Sequence, residues 1–446
     1  MVPHHGRDAS AIARQRQGNG VVDDRNLRAG PPNRRQSTGM RGCCRTIASG
    51  IALLLAACAP APADRDWLDA PTTLASPAGA GSRFPHLATP GAGGPVMSWL
   101  EPAAASMSLR YSRWAGQGWG PPSTVASGAD WFVNWADFPS VVTDGEGHWG
   151  AHWLQKVPGG TYAYGVRIAT SDDDGATWSA PQVPHGDGTA TEHGFVSLLP
   201  WRGALLALWL DGRNTGGDDG HDHGGGGAMT VRSAVVDYDG TMSGPDTEID
   251  ARTCDCCQTG LALAGSVAVA VFRDRGEDGT RDISIVRLED GRWSAPVPVA
   301  RDGWRIDACP VNGPAVDARG DTVVVAWFTG AGGARVRLAW SADAGRSFAA
   351  PIDVDHGRVA GRVDVALLRD GRAVVTWLRG NDRAAALLAR PYTAAGPAGR
   401  AVEITGADAS RAGGFPQVAL AGDDLVFAWT ESGPEPRVQS VVARLR

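Results

Sequence analysis

Three cysteines fall within four positions in the stretch "RTCDCCQTG" (residues 252–260). Cys254, Cys256 and Cys257 crowd one point of a chain that has only seven cysteines in 446 residues. A fourth, Cys309, follows in "DACPVNGPA". Thiols this close can pair as disulfides, hold a soft ion as thiolates, or supply a nucleophile. Carboxylates and arginines gather elsewhere: Glu192 beside His193, Asp211 and Arg213 in "WLDGR", Arg273 and Asp274 in "FRDRGEDGTRD", and Arg379 after "VVTWL". Such carboxylates suit general acid–base catalysis, and guanidinium forks bind carboxylates or phosphates bidentately. The plain alternative is that each Asp and Arg neutralises its neighbour. His221 and His223 flank Asp222 in the Gly-rich insertion 211–227 with a spacing able to ligate a metal, a solvated loop being the alternative.

Which chemistry is open to the thiols depends on the compartment. From Met40 the chain reads "MRGCCRTIASGIALLLAACAPAPA", two arginines followed by an apolar run too short to span a bilayer and typical of a signal-peptide core. Its Leu-Ala-Ala-Cys ending resembles the bacterial lipobox, which implies cleavage before Cys58 and lipidation of its thiol. Ala59 in the next position points to outer-membrane sorting. Residues 40–57 are therefore expected to be a lipoprotein signal that removes Cys43 and Cys44, residues 58–66 a short linker, and residues 1–39 a disordered extension or a start placed too early. Residues 1–57 hold nine Arg and three Asp, so the remaining chain carries 33 basic against 45 acidic residues, net −12. That balance argues against nucleic acid as a partner. Beyond residue 57 no apolar run is long enough to cross a membrane, so membrane contact is expected through the lipid alone, with the protein a monomer.

The elements that must position these residues form a repeat. An apolar strand, a Gly- or Asp-containing turn and a second apolar strand ending in an aromatic recur seven times, for instance "FPHLATPGAGGPVMSWLE" (84–101) and "GRVDVALLRDGRAVVTWLR" (361–379). The aromatics Trp99, Trp153, Trp209, Phe272, Trp327, Trp377 and Trp429 stand 50–63 residues apart, one four-stranded antiparallel unit each. Units of this kind in series predict an all-β propeller over 67–446, whose ring closure protects the sheet edges. Seven blades is the direct count, with six if one unit is a capping hairpin. The last unit ends at "VQSVVARLR" without a fourth strand, so the N-terminal "WLDAPTTLA" (67–75) is expected to complete it.

"SDDDGATW" matches Ser-x-Asp-x-Gly-x-Thr-Trp at Ser171, Asp173, Gly175, Thr177 and Trp178, and "SADAGRSF" repeats it at Ser341, Asp343, Gly345, Ser347 and Phe348. These stretches resemble the Asp-box (BNR repeat) of the bacterial sialidases, and the resemblance extends over roughly 65–446. It implies a tight turn closed by Ser and Asp onto local N–H groups, with Gly at positive φ and the aromatic packed between blades. It also implies an exo-glycosidase whose three arginines clamp a carboxylate beside a Tyr–Glu nucleophile pair and an Asp acid. "SRFPHL" puts Arg83 near the first arginine's position with Arg and Phe transposed. Of the five tyrosines (111, 162, 164, 238 and 392) none falls convincingly where the nucleophile belongs. Catalysis therefore does not follow from the fold.

In a propeller, the connections into each first strand open on one face around the axis and the Asp-box turns on the other. The expected pocket face carries Glu192, Asp211 and Asp274 as candidate catalytic carboxylates and Arg83, Arg213, Arg273 and Arg379 as substrate-binding arginines, with a glycan or other small ligand as partner. Cys254, Cys256, Cys257 and Cys309 fall on the same face. An even count in an oxidising compartment favours disulfides, one of them joining Cys309 to the cluster, whereas a vicinal 256–257 bridge would be strained. The other reading is copper or zinc bound by the thiolates with His193, His221 or His223. The functions left open are a glycosidase, a non-catalytic ligand-binding propeller and a metal-handling envelope lipoprotein.

Overall fold

The computed structural model describes residues 66–90, 93–216, 227–381 and 384–446. The expected signal segment, Cys58, and the His221 and His223 loop lie outside the described residues. Among the described residues no helix is long and apolar enough to cross a membrane.

Seven antiparallel sheets follow one another along the chain. Blade 1 is Arg83–Ala88, Val96–Ala103, Ser106–Arg113 and Ser123–Gly128; blade 2 is Ser140–Thr143, Trp149–Lys156 and Tyr164–Ser171, with Gln182 bridged to Ile168 at its outer edge. Blade 3 is His193–Trp201, Ala204–Asp211, Thr230–Asp237 and Thr247–Asp250, and blade 4 is Gly260–Ala264, Val267–Arg273 and Ile283–Glu289 with two short outer strands. Blade 5 is Ala315–Arg319, Thr322–Thr329, Arg335–Ser341 and Ile352–His356, and blade 6 opens with Val359–Leu367, Ala373–Asn381 and Ala384–Thr393. Blade 7 is Gln417–Ala421, Asp424–Glu431 and Arg437–Arg444, closed by Thr72–Thr73, which pairs with Val441 and Val442. The N-terminal segment thus completes the last blade, as its sequence predicts. Trp67 and Leu68 bury themselves beside it, and the Trp67 indole donates to Arg400 O at 2.8 Å. The first strands of successive blades pack on one another in a closed ring around the axis.

The marker aromatics do more than fill space between blades. Trp99, Trp209, Trp327 and Trp377 are fully buried, and each indole N–H meets a carboxylate: Glu101 at 2.9 Å, Asp211 at 2.8 Å, Asp302 at 2.7 Å and Asp355 at 2.7 Å. Each carboxylate in turn takes a guanidinium, from Arg110, Arg213, Arg337 and Arg379 respectively. A buried indole N–H needs an acceptor and a buried carboxylate needs a counter-charge, so the three side chains satisfy one another. In blades 5 and 6 the carboxylate belongs to the segment ending the preceding blade, which staples neighbours together.

The two turns that resemble Asp-boxes have the expected internal bonds. Ser171 Oγ accepts from Gly175 N at 3.0 Å, and Asp173 accepts from Thr177 N at 2.8 Å and Thr177 Oγ1 at 2.6 Å. Ser341, Asp343, Gly345 and Ser347 repeat the pattern. Trp178 packs edge-on against Tyr111 of blade 1.

Candidate functional site

The connections entering the first strands converge on the axis and fill it. Trp135 stacks on Phe415 with centroids 5.7 Å apart, Phe138 lies 6.0 Å from Phe415, and the Arg362 guanidinium sits 4.8 Å over Trp135. Phe195 and the three clustered cysteines belong to the same apolar group. Polar side chains tie the loops together: Gln258 Nε2 donates to Ala136 O at 2.6 Å and Oε1 accepts from Gly313 N at 3.0 Å, while Asn312 Oδ1 accepts from Arg362 N at 2.7 Å. The face expected to hold an open pocket is plugged at its centre. Apolar residues scattered over the entries to five blades come together only when the ring closes.

Behind the plug lies an axial cavity of about 620 Å³, lined by the first strands. It runs to the ends of those strands, where Thr89, Leu263 and Arg319 are exposed. Those ends lead into the turns before the second strands, on the same face as the Asp-box-like turns, since Asp174 N donates to Gly147 O and Ala344 N to Asp321 O. The mouth is therefore on the face opposite to the one expected. Its wall combines Leu199, Leu261 and Val316 with His86, whose Nδ1 is buried without a protein partner and whose pKa burial lowers to about 4.

The residues picked out as catalytic or substrate-binding do not assemble into one site. Asp211 is fully buried, held by Trp209 and by a bidentate fork from Arg213 (2.7 and 2.8 Å), and Arg213 also reaches Asp246 at 3.1 Å. Burial opposes ionisation of Asp211, yet the Arg213 hydrogen bonds and the charge of His193 bring its pKa below the usual range. Arg379 is engaged by Asp355 at 2.6 Å. Arg273 is buried and donates to three backbone carbonyls, Arg281 O, Asn312 O and Phe328 O, each at 2.7 Å, clamping blade 4 to blade 5. Asp274 accepts from Ser284 Oγ at 2.8 Å and from Arg275 N at 2.6 Å, and Arg83 Nε donates to Gly81 O at 3.2 Å. The bland alternative, Asp and Arg satisfying each other and the backbone, is what the structure contains.

Glu192 has a different partner, one the sequence left unassigned. The Tyr164 hydroxyl lies 2.7 Å from Glu192 Oε1 and 2.9 Å from Asp137 Oδ2. One hydroxyl proton cannot serve two carboxylates, so one of the acids must itself be protonated and donate to the phenol oxygen. Desolvation pushes Glu192 up to about 8 and Asp137 up to about 7. Tyr164 is itself buried and stacked on Phe132, with centroids 3.9 Å apart, so this Tyr–Glu pair is closed to a substrate.

His193 is not among the cysteines. Its ring stacks on His185 at 3.9 Å, and its Nε2 lies 3.3 Å from Asp187 Oδ1 and 3.7 Å from Asp211 Oδ1. His185 and Asp187 with His193 have the proximity of a metal triad. His185 Nε2, however, accepts from Val166 N at 3.1 Å, so its proton is on the Nδ1 that faces Asp187 and no lone pair remains there for an ion. Asp187 Oδ1 and His193 Nε2 are buried without a hydrogen-bond partner, and Arg213 Nη2 lies 3.8 Å from that oxygen.

The four cysteines are free thiols. Cys254 Sγ and Cys257 Sγ are 3.5 Å apart, beyond the ~2.05 Å of a disulfide bond. Cys309 borders the cluster beside Cys256, as the blade order predicts, without the disulfide expected between them. The Arg281 Nη1 donates to Cys254 Sγ at 3.0 Å, a contact that no sequence pattern announced across 27 positions.

No family model matches the chain, and no curated protein does. Among solved structures, a Dyadobacter fermentans protein of unknown function is 13% identical with a TM-score of 0.43, covering 86% of this chain and 100% of that one. Trypanosoma rangeli sialidase in complex with the inhibitor DANA is 14% identical with a TM-score of 0.44, covering 73% of this chain and 56% of its own. A puromycin-hydrolyzing peptidase of Mycobacterium tuberculosis is 12% identical with a TM-score of 0.46, covering 83% and 54%. The chain spans little more than half the length of the latter two. The class defined by the fold is the seven-bladed propeller with sialidases among its distant structural neighbours. At these scores the likeness carries no argument about activity.

Proposed function

We propose that this protein is an exported, lipid-anchored propeller that binds a small amphipathic ligand, such as the end of a glycan, in its axial cavity without hydrolysing it. The observation that carries this reading is the state of the arginines: Arg213 and Arg379 are consumed in tryptophan–carboxylate–arginine triads, and Arg273 is buried among backbone carbonyls. A carboxylate clamp would have to break those bonds, in which Asp211, Asp355 and Arg273 are buried. The cavity has the size of a small-molecule site and mixes apolar walls with a few polar groups. Anchoring through Cys58 would hold the ring at the outer membrane.

The test has two arms. Turnover of a fluorogenic sialoside at high protein concentration is expected to be zero, and measurable hydrolysis would overturn the non-catalytic reading. Saturation-transfer NMR with a panel of mono- and oligosaccharides is expected to find a binder, and Leu263→Arg at the mouth should abolish that signal while the melting temperature stays unchanged. A binder indifferent to Leu263→Arg would place the ligand elsewhere.

A further inference from the structure

The cysteine cluster has no part in that reading. It sits in a connection pinned at both ends: Thr253 N donates to Met229 O and Cys254 N to Arg273 O, both at 2.9 Å, and Gln258 is bonded to two neighbouring loops. The sulfurs of Cys254, Cys256 and Cys257 all lie within 4.8 Å of one another, all three residues are buried, and Cys254 Sγ and Cys257 Sγ are 3.5 Å apart. Sulfurs held in a plane at about 2.3 Å from a central ion stand about 4 Å apart, so the observed separations bracket what a three-coordinate centre needs.

Small buried cysteines can also be mere apolar filler. Arg281 argues otherwise. Its side chain is buried, it donates to Cys254 Sγ at 3.0 Å, and its Nε has no partner. Asp255 also acts on Arg281 but is paired with Arg275 at 3.3 Å, so against neutral thiols the buried guanidinium would be compensated only in part. The arrangement makes sense if the sulfur is a thiolate.

We propose that Cys254, Cys256 and Cys257 form a binding site for one copper(I) ion, entered past Cys309. Soft thiolates select copper(I), which needs no fourth ligand, whereas a structural zinc site is four-coordinate and Cys309 lies outside the group of mutually close sulfurs. Three thiolates and one monovalent cation sum to −2, and Arg281 and Arg273 offset that charge. Binding releases the remaining thiol protons to water and transfers no electron. Cys309 is half-exposed beside Cys256, placed to receive the ion from solvent and pass it inward.

The experiment is a titration of anaerobic, fully reduced protein with copper(I) against the chromogenic chelator bicinchoninate, with X-ray absorption at the copper edge. One ion per chain and a shell of three sulfurs are expected. Cys257→Ser should abolish competition with the chelator while circular dichroism shows the fold retained. Arg281→Met should weaken binding about 10- to 100-fold with the sulfur shell unchanged. Cys309→Ser should slow uptake and leave the affinity within about threefold, since it removes no ligand of the triad. No uptake, undiminished uptake by Cys257→Ser, preferential uptake of zinc in the same competition, or a disulfide that forms in place of copper binding would each overturn the proposal. If Cys257→Ser does not fold, the wild-type spectrum decides, and fewer than three sulfurs refutes the site. Sugar binding is measured separately, so failure here leaves the axial cavity untouched.

Discussion

Replacing Asp211 by alanine separates a structural carboxylate from a catalytic one. The substitution deletes the acceptor of the Trp209 indole (2.8 Å) and of Arg213 N, Nε and Nη2 (3.1, 2.7 and 2.8 Å) at a side chain with no solvent exposure. Removing one partner of a buried ion pair costs about 3–5 kcal/mol because the other charge stays behind uncompensated. Arg213 retains Asp246 at 3.1 Å and is 17% exposed, which places the expected loss near the lower end, about 3 kcal/mol. With an unfolding entropy of about 2.1 cal/mol/K per residue over a ~380-residue ring, that loss lowers Tm by about 4 °C. Urea unfolding followed by tryptophan fluorescence, with calorimetry, measures it. Asp355→Ala, whose partner Arg379 is 55% exposed, and Glu101→Ala, whose partner Arg110 is partly exposed, should each cost less, about 1–2 kcal/mol. Coupling of about 1 kcal/mol or more between Asp211→Ala and Trp209→Phe is expected, since the two share a bond. Asp211→Ala protein of unchanged stability that loses a measurable hydrolytic activity would refute the structural assignment and restore Asp211 as a catalytic acid.

Deleting residues 66–75 should open the ring, because it removes the strand paired with Val441 and Val442 and unburies Trp67, Leu68 and Leu74. An upper figure of about 5–9 kcal/mol follows from three apolar side chains, read as a large drop in the urea midpoint. A second prediction concerns pH. Glu192 and Asp137 have folded pKa values raised to about 8 and about 7, so the folded state holds their protons more tightly than the unfolded chain does. Their contribution is full below the ordinary carboxylate range and is lost as pH rises through 7 to 8, and Glu192→Gln should flatten that decline in a stability–pH series. Gly175→Ala should destabilise by more than about 1 kcal/mol, since φ is +75° and a Cβ would stand 2.5 Å from the Tyr111 hydroxyl. A neutral result in thermal melts would mean that the turn relaxes without cost.

The ring was legible in the amino-acid sequence. Alternating strands, turn residues and an aromatic every 50–63 positions are local features, and each unit carried enough of them to be counted; even the closing strand was legible because "WLDAPTTLA" looks like the outer strand of another unit. The adjacency of Cys309 to the CDCC stretch followed from blade order alone. What the charged residues do depends on contacts made across the ring. Trp99 and Trp209 find their carboxylate two positions on, but Trp327 and Trp377 take theirs from 25 and 22 positions earlier, in the preceding blade. No fixed spacing announces such a partner, and an unpaired Asp or Arg read along the chain looks the same as a functional one. The plug of Trp135, Phe138, Phe195 and Phe415 likewise comes from the entries to three blades, which meet only at the axis, and it moves the open end of the cavity to the other face. Local periodicity sets where strands lie; long-range desolvation and charge pairing decide which side chains remain available for chemistry.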